Sequence, residues 1–277
     1  MICTTENVNI LVNPVLERMR AGEVALGMNI RLGRSGDIAS IARTTGHDFL
    51  FLDAQHAIFP MESLAHIALA ARGCGVAPIV RVRGCDDPDV SLLLDNGVTG
   101  IVFPDINNAA EAGRAVEAAR FAPLGKRSAS GGYIQFDFRP VPLAAALPAL
   151  DHSTLVACMI ETREGLANIE EIAAVDGIDV LHVGCNDLLL DMGKPGAFAD
   201  PELARAVAHV IAVAGAHGKF AGLGGDRDVA RQVRYIREGA RFLTTHSDIG
   251  FLMAEASRRT GELRQALAKT AVVKAAR

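Results

Sequence analysis

Polar residues gather at the ends of short apolar runs along this sequence. A run from Phe49 ends in Asp53, Ala54, Gln55 and His56, and another from Pro78 ends in Arg81 and Arg83. The run from Gly100 ends in Pro104 and Asp105, and that from Thr154 in Glu161 and Thr162. A fourth kind of ending, Gly184, Cys185, Asn186 and Asp187, closes the run from Val180. Gly224, Gly225 and Asp226 close a further run, and His246, Ser247 and Asp248 close the last. Acid, imidazole and guanidinium groups beside buried strands are costly unless they are paired or bind a metal. The pattern therefore points to an enzyme site.

Three chemistries are available in that set. Glu161 and Asp187 are two carboxylates on consecutive runs, with no Cys or His cluster nearby, which suits a hard divalent cation such as Mg²⁺ or Mn²⁺. Two protein ligands leave room for water and substrate, as a catalytic Lewis acid requires. The same spacing also fits Glu161 paired with an arginine and Asp187 capping a helix. Asp53 and His56, three residues apart, could form an acid/base pair in which the carboxylate fixes the imidazole, or a structural hydrogen bond. Arg81 could stabilise an oxyanion or grip a carboxylate in two-pronged fashion, or pair with Asp53 or Glu161. Imine chemistry is disfavoured. The chain has 23 arginines but only five lysines, Lys126, Lys194, Lys219, Lys269 and Lys274, and none stands at the C-terminal end of a strand.

The elements that must carry these residues follow a repeating grammar. A glycine ends a helix-like stretch, one or two residues follow, and an apolar strand begins; Gly46, Gly75, Gly97, Gly177, Gly218 and Gly239 all fit. Strands are expected at 24–30, 49–53, 78–82, 100–104, 154–161, 180–184, 220–223 and 242–246. Helical spacing is clearest at 62–72, 109–120, 201–216 and 229–238. Eight alternating units in 277 residues predict an α/β fold, a (β/α)8 TIM barrel in one domain over 1–277, with an extra N-terminal helix and an extended C-terminal helix over 249–277. A doubly wound sheet is the runner-up, but Gly33 and Gly36 lack the spacing of a dinucleotide-binding turn. The segment 124–150 is too long for an idle connector and predicts a functional loop or an assembly element.

Composition narrows the partners. A net charge of −4 gives no broad basic surface for nucleic acid. No apolar run is long enough to span a membrane, and 1–12 does not read as a signal peptide. Five scattered cysteines, Cys3, Cys74, Cys85, Cys158 and Cys185, suit reduced thiols and a cytoplasmic setting.

Taken in order, Asp53-Ala-Gln55-His56, the Arg81 strand, Gly100 to Pro104, Pro123 to Ser128, Glu161-Thr162 through Asn168, and Val183 to Asp187 resemble the HpcH/HpaI aldolase family from about Gly22 to the final helix. The resemblance implies a class II, metal-dependent pyruvate aldolase on a (β/α)8 barrel. It implies that Glu161 and Asp187 hold Mg²⁺ or Mn²⁺, with Co²⁺ also possible, and that pyruvate or hydroxypyruvate chelates that ion. Backbone N–H groups near Asn186 and Asp187 would hold the substrate carboxylate, and Arg81 would stabilise the enolate. His56, oriented by Asp53, would act through water on the C4 hydroxyl of a 4-hydroxy-2-oxo acid. The rival implications are another metal-enolate lyase of the phosphoenolpyruvate/pyruvate barrels and a non-catalytic oxo-acid binder. A homo-oligomer is implied, a hexamer built as a trimer of dimers, with the C-terminal region packed on a neighbour.

The chain departs from the family pattern at several positions. Gln55 stands where glutamate is common, Met159 where glutamine is common and Cys185 where proline is common, while Asn29 or Arg31 lies where a tryptophan is often found. Gln55 and Cys185 are expected to line the substrate pocket, and the changes bear on donor and aldehyde choice. At the rim, Arg31 and Arg34 could receive an anionic aldehyde, and Arg127 and Ser128 could shape the pocket or a subunit contact. Asp226 and Asp248 are expected as helix N-caps, His182 as a satisfied core histidine, and the glycines 222–225 as close packing or a phosphate loop.

Overall fold

A computed structural model of the chain describes residues 11–275. Eight parallel strands close on themselves in sequence order: β1 (Ala25–Ile30), β2 (Phe49–Asp53), β3 (Ala77–Arg81), β4 (Gly100–Phe103), β5 (Leu155–Ile160), β6 (Val180–Gly184), β7 (Phe220–Gly224) and β8 (Ala240–Ser247). Twelve helices accompany them among the described residues. They are α1 (Pro14–Arg20), α2 (Asp37–Thr44), α3 (Met61–Gly73), α4 (Val90–Asp95), α5 (Ala109–Ala119), α6 (Leu143–Ser153), α7 (Arg163–Ala167), α8 (Ile169–Ala173), α9 (Cys185–Asp191), α10 (Pro201–Ala216), α11 (Val229–Glu238) and α12 (Asp248–Ala275). This is the (β/α)8 barrel read from the sequence. Strand ends differ by a residue or two, and β8 starts earlier because Ala240 already pairs with Ala221.

The strands are largely apolar on both faces because each has two cores to serve. Phe49, Phe51, Ile79, Val102, Leu155, Val180 and Phe242 fill the barrel interior, and the outward residues pack beneath the helices. The extra helix α1 closes the N-terminal end by adding Val15, Leu16 and Met19 to the interior core. Asn13 locks it there. Its carbonyl oxygen caps Val15 at 3.1 Å, and its amide donates to the carbonyls of Thr99 and Ser153, both at 2.9 Å. With that end plugged, polar chemistry is confined to the other.

The long connector divides into a 3-10 turn, Ile134–Phe136, and the start of α6, and it covers its own cluster of Phe121, Tyr133, Phe136, Ala146 and Leu150. Arg127 belongs to this cluster. It pairs with Asp95 at 2.7 Å and lies over the Phe121 ring, so it does not shape the pocket.

Two expected caps are corrected. Asp228, not Asp226, caps α11 by accepting from the Arg231 N–H at 2.8 Å. Asp226 is fully buried and takes the Arg231 guanidinium on both oxygens, at 2.6 and 2.8 Å. Asp248 opens α12 but reaches back to β1, where it accepts from the N–H groups of Arg31, Leu32 and Gly33 at 2.8–3.1 Å. It fastens the last element to the first loop. Beyond it α12 leaves the barrel, and Phe251, Leu252, Met253, Leu263 and Leu267 are exposed. Residues 276–277 of the expected tail helix lie outside the described residues, as does Cys3; the other four cysteines are free. No helix of the described residues is long and apolar enough to cross a membrane.

Candidate active site

Parallel pairing sets Asp53 beside Arg81 in register, so both side chains leave their strands on the same face. The pair is bidentate, Nε to Oδ1 at 3.0 Å and Nη2 to Oδ2 at 2.8 Å, and both groups are buried. Asp53 is therefore not the partner of the His56 ring. Its remaining contact to that residue is with the backbone N–H, at 3.2 Å. Asp53 shapes the 53–56 turn and clamps Arg81, while the imidazole stands exposed at the mouth of the barrel. Arg31 joins from β1, with Nε 3.8 Å from Asp53 and Nη2 donating to the His56 carbonyl at 3.2 Å.

Glu161 follows β5 and is 2% exposed. Its Oε1 accepts from the Asp105 N–H at 2.8 Å, and its Oε2 is buried with no protein partner. Asp105 can present that N–H because its backbone is left-handed, at φ 54°. Gly184 leaves the space beside Oε2 open, since a Cβ there would collide with that oxygen. Burial pushes the Glu161 carboxyl up to about 7. The nearby Asp105 and Asp187 charges add to the rise, and the Asp105 N–H opposes it. Asp187, in the first turn of α9, faces the same pocket of about 310 Å³ with Gln55, His56, Asp105 and Thr162. The Gln55 Oε1 is a second buried oxygen without a partner. No group of three or more His, Cys, Asp or Glu side chains poised to hold a metal occurs among the described residues. Two carboxylates with one orphaned oxygen fit a hard cation that keeps open positions. An unpaired buried carboxylate oxygen is otherwise a cost.

A smaller cavity of about 60 Å³ opens deeper, lined among others by Asn29, Arg81, Met159, His182, Asp187 and Thr244. Met159 occupies the expected place by the site, with the Arg81 Nη1 over its sulfur at 3.9 Å. Cys185 is fully buried and its thiol is pushed up to about 12 by burial, so it forms wall and not reactant. Asn186 turns its backbone N–H and side-chain amide toward Gly225; a Cβ there would lie 3.1 and 3.2 Å from them. The glycines after β7 thus keep space beside Asn186. His182 is not the satisfied core histidine expected, because its Nδ1 is buried without a partner. Burial pushes its pKa down to about 3, so the ring stays neutral.

The sequence reading missed Thr244 and Arg227, which line the deeper cavity. Thr244 sits one position inside a strand whose visible polar signal was its end, and Arg227 lies in a loop with no motif. Two rim arginines have other work. Arg34 stacks 3.8 Å over Phe59, and Arg83 is held by Asp87 and Asp89.

A family model described as HpcH/HpaI aldolase/citrate lyase matches residues 31–254. The chain belongs to the HpcH/HpaI aldolase/citrate lyase family. A 4-hydroxy-4-methyl-2-oxoglutarate aldolase of Chaetomium globosum is 37% identical to it, across 77% of this chain and 80% of that protein. A hydroxypyruvate/pyruvate aldolase of Pseudomonas aeruginosa is 32% identical, across 87% of this chain and 89% of its own length. A solved HpcH/HpaI aldolase from Desulfitobacterium hafniense has a TM-score of 0.86 at 26% identity, covering 90% of this chain and 96% of that one. This HpcH/HpaI chain is accordingly a carbon–carbon lyase, an aldolase.

Proposed function

We propose that this aldolase uses a divalent metal to cleave a 4-hydroxy-2-oxo acid into pyruvate or hydroxypyruvate and a carbonyl product. The observation that carries the reading is the buried, unpartnered Oε2 of Glu161 in a pocket shared with Asp187. Glu161 and Asp187 would hold Mg²⁺ or Mn²⁺, with Co²⁺ a further option. Bound there, the cation supplies Lewis acidity to the oxygens of a 2-oxo acid.

The chain's own groups do the rest. Asn186 offers N–H donors to the substrate carboxylate. Arg81, locked by Asp53, turns Nη1, which otherwise meets only the weak acceptor Met159 Sδ, to the oxygen that gains charge as the C3–C4 bond breaks. His56 takes the proton of the C4 hydroxyl as C4 becomes a carbonyl carbon, and the electron pair released to C3 is later protonated there. Gln55 keeps an amide where a carboxylate would add negative charge beside His56. The whole chain acts as one barrel domain in the cytoplasm.

The exposed apolar residues of α12 favour a homo-oligomer in which that helix packs on a neighbour, arranged as a hexamer, a trimer of dimers. Incubation with 4-hydroxy-4-methyl-2-oxoglutarate, the substrate in the name of the Chaetomium relative, tests the reaction. Pyruvate release that needs Mg²⁺ or Mn²⁺ and stops with chelator is expected. Release unaffected by chelator, or none from any 4-hydroxy-2-oxo acid, would overturn it.

A further inference from the structure

The deeper cavity has a polarity that plain pyruvate does not use. Asn29, on β1, lines it, and the side-chain amide oxygen of Asn29 is buried with no protein partner. Across from it, the position a Cβ would take on Gly224 lies 2.9 Å from the Thr244 hydroxyl and 3.0 Å from the His182 Nε2. Three strands thus bring a carboxamide, an imidazole and a hydroxyl to one space, and a missing side chain keeps it open. The space, about 60 Å³, admits a group of one or two heavy atoms. It shares Asp187 with the outer pocket and Arg81 with the Asp53 clamp.

We infer that Asn29, His182 and Thr244 form a specificity subsite for the C3 hydroxyl of the oxo-acid donor, making a hydroxylated pyruvate the preferred donor over pyruvate. The inference rests on the aldolase reading and narrows its donor. A carboxylate, with three heavy atoms, exceeds this space and has N–H donors on the Asn186 side instead. A methyl group fills the volume but leaves the polar atoms unpaired. A hydroxyl both donates and accepts, so it satisfies Asn29 with its amide in either orientation. His182 is neutral through the working pH range and offers one ring nitrogen to the same group. Sites built to pair a substrate hydroxyl discriminate strongly against the analogue that lacks it, because their own buried groups are then left unmatched.

The test is metal-dependent exchange of C3 protons in D₂O, with pyruvate and hydroxypyruvate measured side by side. Wild-type protein should favour hydroxypyruvate in kcat/KM by about tenfold or more. Asn29→Leu should collapse that ratio, His182→Phe should lower it, and Asn29→Asp, which keeps an acceptor, should retain more of it than Asn29→Leu. The ratio is internal to each variant, so a partly folded preparation does not mimic the effect. A ratio unchanged in Asn29→Leu and His182→Phe, or wild-type preference for pyruvate, would overturn the inference and leave the aldolase reading standing. Exchange of neither donor by metal-loaded wild-type protein would overturn the aldolase reading and this inference with it.

Discussion

Glu161 is stored in an unfavourable state. Its ordinary pKa of 4.5 rises to about 7 in the fold because the carboxyl is buried with one oxygen unpartnered. Below pH 4.5 the folded and unfolded chains both hold the proton, so nothing is lost. Between there and about pH 7 the unfolded chain ionises first, and above that the fold must carry a buried charge, so metal-free stability falls across the window. Glu161→Gln removes this penalty. In chelator its Tm should exceed wild type at pH 8 and match it near pH 4.5, and Mn²⁺ should raise the Tm of wild type alone. The Asp53–Arg81 clamp makes a separate prediction. If Asp53 acts through Arg81, Asp53→Asn and Arg81→Lys should be strongly non-additive in kcat/KM, with a coupling of about 1–3 kcal/mol. Additive losses would contradict the clamp. The sequence offered Asp53 both to His56 and to Arg81 and did not choose between them, because three-residue spacing is visible along a chain and cross-strand register is not.

The elements were legible where grammar was local. A glycine followed by a short apolar run specifies a buried parallel strand; the six strands read this way formed, as did the two read from their apolar runs alone. Helices α10 and α11 begin and end where their apolar spacing does, with Asp200 and Asp228 as caps. The short helices α7 and α8 were not legible, since five residues hold too little periodicity to see. Asp248 also escaped, because its partners lie more than 200 residues away in sequence. It holds three N–H groups of the β1 loop that carries Arg31. Asp248→Ala should destabilise the protein by about 1–3 kcal/mol and speed hydrogen exchange at residues 31–33. Unchanged protection there would show that the loop is held by other means. The orphaned atoms of Asn29, Gln55, Glu161 and His182 were the least predictable part of the site. Absence of a partner is a property of packing and leaves no trace in composition.

At the scale of the molecule, the barrel is plugged at one end by α1 and polar at the other. The chemistry therefore has a single place to occur. Lysine usage already disfavours the imine alternative, since none of the five lysines stands at a strand's C-terminal end. Among the described residues, α12 extends beyond the barrel as a 28-residue helix with Phe251, Leu252, Met253, Leu263 and Leu267 exposed. Such a surface suits the proposed association. Light scattering at micromolar concentration should give the mass of a hexamer, and Leu252→Glu with Leu263→Glu should reduce it. A monomer in the wild-type protein would contradict the assembly.

The central claim is that Glu161 and Asp187 hold a metal that makes the C3 protons of a 2-oxo acid labile. Proton NMR of pyruvate and hydroxypyruvate in D₂O, with Mn²⁺ or Mg²⁺ removed and restored, reads this directly. Exchange at C3 should appear with the metal, vanish with chelator, and fall by about 100-fold or more in Glu161→Ala. Exchange that persists in chelator, or that survives in Glu161→Ala at the wild-type rate, would contradict that claim.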